Sequence, residues 1–320
     1  MKLKILIMAA AAAVIFTTAL FIGPKIINPF SVNEIDKEIL ISIRLPRVIV
    51  SILMGMALGA SGAVLQGVLR NPLADPYILG ISSGAALTAV IGIISGFTFW
   101  GILTIPLLAF TGALITGIFV GAMGWKRGGF WPERLLLAGV GLGFLFSAVL
   151  MLIMSISSDE GLRRATLWIF GDLSMADWAI IPYGLIFIAG GLAISLSRAK
   201  ALNALILGDE LSYSLGFSPR RERLILFVAV GLMTSASVSL GGMIGFIGLL
   251  VPHIGRFIIG SDSKTLIPVS ALGGGMLMCM ADLIGKSVLS PVELPAGIIT
   301  AVIGAPYFLY LLRKKDVLGI

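Results

Sequence analysis

Ten apolar runs, at 5–23, 46–68, 77–96, 101–122, 133–156, 178–197, 224–242, 244–260, 265–285 and 296–312, leave this chain few folds to choose from. Roughly twenty predominantly apolar residues carry a helix across a hydrocarbon layer, and most of the runs reach that length. Mean hydropathy is +1.07 and only 12 % of residues are charged, more apolar surface than a soluble core could bury. The predicted fold class is an all-α membrane protein of about ten transmembrane helices, one transmembrane domain over 1–320 in a multi-pass arrangement. The eighth run, GGMIGFIGLLVPHIG, is short and rich in Gly and Pro, the pattern of a broken helix, and the third is short as well. The opening MKLKILIMAAAAAVIFTTALFIG resembles a signal peptide. Its apolar run is longer than an ordinary signal core, so it is read as a retained first span.

Basic residues set the orientation. With the N-terminus inside, sixteen of the 23 Lys and Arg fall on inner segments and seven on outer ones, which favours both termini in the cytoplasm. Ten spans would divide into two five-span halves, and an odd number per half makes them inverted repeats. Glycines four residues apart, such as Gly55/Gly59 and Gly139/Gly143, allow close helix approach.

Chemistry inside the chain is poorly supported. One cysteine, Cys279, excludes an internal disulfide or a cysteine metal cluster, and one histidine, His253, argues against a histidine metal site or a Ser-His-Asp triad. Gly285-Lys286-Ser287 resembles the end of a phosphate-binding loop, but Met280 stands where the first glycine belongs and no strand precedes it. No charged residue is required at mid-span, where ion-driven carriers keep one for work. A standalone secondary transporter and a membrane-embedded enzyme are therefore the lesser alternatives. Energy for transport would enter from outside the bilayer.

The longest charged interval is 198–223, an inner segment that reads as two short helices broken at Gly208, with Asp209 placed to cap the second and Ser218-Pro219 starting the next span. It is either a solvated connector or a platform for a soluble partner. On the outer side, 157–177 carries Trp168, next to Trp178, as interface anchors. Glu34 to Arg47 has Ile35, Ile39 and Ile43 on one helical face and ends in two arginines, read either as headgroup anchors or as cations for an acidic protein.

Taken together, RLPR at 44–47, SGAVLQGVLRNPLADPYILGISSGA at 61–85, RLLLAGVGLG at 134–143, LWIFGDLSMADW at 167–178, LNALILGDELSYSLG at 202–216, GFIGLLVPHIGR at 245–256 and ELPAGIITAVIGAPYFLYLL at 293–312 resemble one family. It is the permease family of type II ABC importers for iron-siderophores, haem and vitamin B12. The resemblance implies a homodimer in the cytoplasmic (inner) membrane, two ATPase subunits that hold the ATP and magnesium, and one periplasmic or lipid-anchored substrate-binding protein. It implies no cofactor or metal on this chain, contact with membrane lipid and none with nucleic acid.

The family's coupling helices match Leu202, Asn203, Leu207, Gly208, Asp209, Glu210, Leu215 and Gly216, with Asp209 and Glu210 expected in the ATPase contact. Arg44 and Arg47, with Lys286 in a third position, match cations that relatives present to glutamates of the binding protein. The fifth and tenth spans line the path in relatives, which suggests Gly139, Gly143, Ser147, Gly297, Thr300 and Gly304 as lining residues. The cytoplasmic gate falls at Trp131, Pro132 and Glu133, and His253 is expected to be structural rather than a haem ligand. Iron-siderophore is the expected cargo, with haem and cobalamin as alternatives.

Overall fold

The computed structural model describes residues 2–126 and 129–313, almost wholly helical. In chain order the helices are α1 (Lys2–Phe21), α2 (Glu34–Glu38), α3 (Leu45–Leu69), α4 (Ile81–Ile94), α5 (Thr104–Gly124), α6 (Pro132–Ser155), α7 (Asp159–Ile169), α8 (Ile181–Ser197), α9 (Ala199–Leu207), α10 (Asp209–Ser214), α11 (Pro219–Gly241), α12 (Ile247–Ile259), α13 (Ser263–Ser287) and α14 (Ala296–Arg313). Among the described residues, seven helical stretches are long and apolar enough to cross a membrane, and α4, α12 and the 296–310 part of α14 are shorter apolar helices. Together they coincide one for one with the ten runs read from the sequence. Two antiparallel two-residue strands, β1 (Trp125–Lys126) and β2 (Gly129–Phe130), join α5 to α6.

The buried axis of the molecule is α3, packed on α13, α11, α12 and α8. Its sequence, GMALGASGAVLQG, explains why so long a helix can be enclosed. A Cβ at Gly55 would overlap the Gly274 carbonyl, and one at Gly59 the Ser270 carbonyl, so α3 and α13 cross nearly backbone to backbone. A π-helical turn, Ile39–Arg44, fuses α2 to α3, so the Glu34 segment runs on into the second apolar helix as one stretch of 36 residues. Pro46 follows that turn and has no N–H to continue an α ladder, which accounts for the change of pitch there.

Helix packing respects a five-helix repeat. Pairing α1, α3, α4, α5, α6 with α8, α11, α12, α13, α14 maps the contacts α3–α13, α4–α5, α3–α12, α4–α6 and α5–α6 onto α11–α5, α12–α13, α11–α4, α12–α14 and α13–α14, all of which occur. The two short helices α4 and α12 are partners in this scheme, and each follows irregular backbone. Those two segments meet where the Ile244 N–H donates to the Tyr77 hydroxyl at 2.6 Å, which satisfies a buried amide outside any helix.

Candidate functional site: a platform at one end and a cation cluster at the other

The platform is built from α9 and α10. Leu202 and Leu205 face inward, Leu202 filling the space beside Gly67 of α3. Gly208 separates the two helices at φ +129°, a conformation only glycine adopts freely, which turns α10 away from the axis of α9. The outward face carries Leu207, Leu211, Tyr213 and Leu215, all more than half exposed, together with Glu210.

Asp209 does not cap α10, as the sequence suggested; Gly208 occupies that position. Its carboxylate instead accepts from both terminal nitrogens of Arg223 (2.8 and 2.6 Å) and from Arg70. Arg70 ends α3 in a left-handed conformation (φ +52°) and also donates through Nε to the Leu205 carbonyl at 2.7 Å. Such backbone costs a non-glycine residue roughly 1–2 kcal/mol, which the two side-chain contacts offset. The Arg223 hydrogen bond, ahead of the charge of Arg223 and the contact with Arg70, holds the Asp209 carboxyl below the usual carboxylate range. Ser218 stands at the N-cap of α11, yet its hydroxyl makes no capping bond.

Asn203 points inward. It donates to Asp262 (2.7 Å) and accepts from the Ser263 N–H (2.9 Å), tying α9 to the start of α13. The platform is thus fastened to α3, α11 and α13 by Asp209, expected in the ATPase contact, and by Asn203, another of the matched coupling residues. A polar cavity of about 370 Å³ lies beside it, lined by Arg70, Asp209, Arg223, Trp131, Pro132 and Glu133 among others. Pro132 and Glu133, assigned to a gate from the sequence, therefore share one cavity with Asp209.

At the opposite ends of α3 and α13 the three expected docking cations are buried. Arg44 donates to the Leu20 carbonyl at 2.9 Å and to the Lys25 carbonyl. Arg47 pairs with Asp282 (2.9 Å) and Glu293 (2.7 Å). Lys286 donates to the Ala19 carbonyl at 2.9 Å, with Asp282 at 3.8 Å. In this structure each of the three cations lies below the surface, where intramolecular acceptors replace water. Glu293, 39 % exposed, is the one rim residue of the cluster, and it lines a second cavity of about 210 Å³ with Arg47, Asp172 and Ser174. Sequence reasoning missed Asp282 and Glu293. Asp282 stands four residues before Lys286 on a helix, a spacing that could have revealed it.

The six candidate path residues lie on packed faces. Gly139 abuts Gly80, and Gly143 faces Ser83; Ser147 is half-buried on α6. Gly297 lies against the Phe170 and Met243 carbonyls, Gly304 against the Phe246 ring, and buried Thr300 donates to the Gly297 carbonyl at 3.0 Å. In this chain the open faces of the two helices are apolar, with Leu137, Phe144 and Met151 on α6 and Val302 and Leu309 on α14. Small residues serve close packing there, so they leave the larger side chains outward. His253 packs edge-on against Phe257 (5.0 Å) and Tyr307 (6.3 Å), inside the bundle. No group of three metal-ligating side chains occurs among the described residues.

Residues 5–314 match the FecCD transport family. The hemin transport system permease protein HmuU of Yersinia pestis is 38 % identical over 295 aligned positions, covering 89 % of this chain and 86 % of that one. The cobalamin import system permease protein BtuC of Halobacterium salinarum is 40 % identical, covering 90 % and 77 %. A solved structure, described as an inward-facing conformation of a metal-chelate type ABC transporter, shares 29 % identity and a TM-score of 0.85 over 96 % of this chain and 97 % of that one. With its motifs, its helix order and its alignment along nearly the whole length in agreement, this chain belongs to the FecCD transport family.

Proposed function

We propose that the chain is the permease of an ATP-driven importer whose cargo is an iron-siderophore or a closely related iron chelate. As a FecCD-family permease it supplies the membrane passage of a metal-chelate importer, and the relatives leave the choice of chelate open. The iron(3+)-hydroxamate permease FhuG and the Fe(3+)-citrate permease YfmE of Bacillus subtilis, 36 % and 38 % identical, favour an iron complex. Haem and cobalamin are the alternatives carried by the names of other relatives.

The observation that carries the mechanism is the fastening of an exposed apolar face to three long helices. In this reading an ATPase subunit docks on Leu207, Leu211, Tyr213 and Leu215, beside the acidic Glu210. Its movement reaches α3 and α11 through Asp209 and α13 through Asn203. Helices α3 and α13, 25 residues each, carry that displacement about 37 Å to the far end as rigid rods. The motion is rigid-body gating of the bundle.

The homodimer places a second copy against the apolar faces of α6 and α14, and the passage runs along that contact. A binding protein docks at the far end. Its carboxylates meet the exposed Lys37, Arg163 and Arg164 first, and Arg47 becomes available only where Glu293 gives way. Replacing Leu207 and Leu211 by Glu is expected to abolish co-purification with the ATPase and ATP-dependent uptake, while the permease itself stays monodisperse. Unchanged co-purification would refute the platform assignment.

A further inference from the structure

At the platform end of the membrane, at the close of the 198–223 interval and past the last matched coupling residue, Gly216, two arginines stand without carboxylate partners. Arg220 and Arg221 open α11; both are exposed, and none of the ion pairs among the described residues involves them. Arg220 lies over the Trp125 ring, 5.8 Å from its centroid, and Trp125 is itself braced edge-on by Phe130 at 5.5 Å. A guanidinium stacked on an indole is held in orientation yet keeps its in-plane N–H donors free for an anion.

The surface above this pair is apolar. Leu224 and Val228 stand four and eight residues after Arg220, so they share its side of α11, and both are about half exposed. Phe227 fills the contact with the neighbouring helix α5 at Gly121, and on α5 Ile118, three residues before Gly121 and so beside that contact, is exposed, as is Ile115 one turn further along. The exposed seam beside the α5–α11 contact therefore has paired cations and an indole at one end and hydrocarbon along its length. That sequence of chemistries is the mirror of an anionic diacyl phospholipid, with its phosphate at the edge and its chains running inward. A free phosphate would leave the apolar part unused, and an acidic protein surface could not follow this seam into the bilayer.

We infer that Arg220, Arg221 and Trp125 form a headgroup site for an anionic phospholipid whose acyl chains lie between α5 and α11. The site is independent of the coupling role proposed for α9 and α10.

Native mass spectrometry of the full-length permease in mild detergent tests it, with phosphatidylglycerol and phosphatidylcholine of identical acyl chains as probes. Wild type should retain phosphatidylglycerol preferentially. The double substitution Arg220→Gln, Arg221→Gln should reduce that preference roughly thirty-fold, about fivefold per arginine. Trp125→Leu, which keeps both charges, should weaken retention less. Arg163→Gln, Arg164→Gln removes the same charge at the other end and should leave retention unchanged. If the double variant fails to fold, the Trp125→Leu result decides alone, and retention equal to wild type overturns the site. Equal retention of the two lipids by wild type would overturn it too, as would an equal loss in the far-end control. Full lipid retention by the Gln variants together with lost ATPase binding would make the patch a protein-docking surface instead.

Discussion

Asp209 accepts from two arginines on two different helices, whereas Glu210 beside it faces outward. Substituting each alone separates internal transmission from external contact. Asp209→Asn should raise the ATP consumed per chelate moved by roughly threefold or more, within the range of side chains that couple distant sites, and should also lower the thermal stability of the isolated permease. Glu210→Lys should weaken ATPase binding and leave the permease's own stability unchanged. Equal effects of the two on the isolated chain would refute the latch.

The pH dependence of the latch has a definite sign. A carboxylate whose folded pKa is depressed contributes fully above its unfolded value of about 3.9 and loses that contribution as pH falls through the folded one. The melting-temperature gap between wild type and Asp209→Asn should therefore be flat from pH 8 to about 5 and close below pH 4. The residue scale was also the least legible in the sequence. Motif matching located Asp209, Asn203 and Arg47, but which way each side chain turns depends on neighbours 14 to 246 positions away, such as Arg223 for Asp209 and Glu293 for Arg47. Arginines at the head of a span read as exposed because burial of a cation is costly, and nothing nearby in sequence announces Asp282 as its counter-charge.

Among the elements, α3 and α13 set the tolerance of the bundle to change. A methyl added at Gly59 meets the Ser270 carbonyl, a backbone atom that cannot swing aside. Gly59→Ala should cost about 1–3 kcal/mol of stability, the usual penalty of overpacking, read as a lower melting temperature in detergent. Gly231→Ala on α11 has nothing within 4 Å of the new methyl and should be neutral or stabilising by up to about 1 kcal/mol. A Gly59→Ala chain as stable as wild type would contradict the close crossing. Elements were the most legible scale, since apolar length and Gly-Pro punctuation placed all ten apolar helices. They even marked the eighth as broken, where Gly242 to Phe246 precedes α12 in non-helical backbone. The fusion of α2 with α3 escaped notice because Pro46 normally signals a break, and here a π-helical turn absorbs it.

At the scale of the whole molecule, the ion pairs among the described residues that tie α3 to α13 and, through Asp209, α3 to α11 sit near the ends of the long helices. The buried Arg47–Asp282–Lys286 group lies in the first turn of α3 and the last turns of α13. A chain so built has a place for a partner to push, the platform fastened to α3, α11 and α13. The direct measurement is chelate accumulation in proteoliposomes holding the permease alone, compared with vesicles holding permease, ATPase, binding protein and ATP. Concentrative uptake is expected only in the complete, nucleotide-supplied vesicles, and to vanish when ATP is withheld. Accumulation by the permease alone, under an imposed proton or sodium gradient, would contradict a conduit driven from its platform.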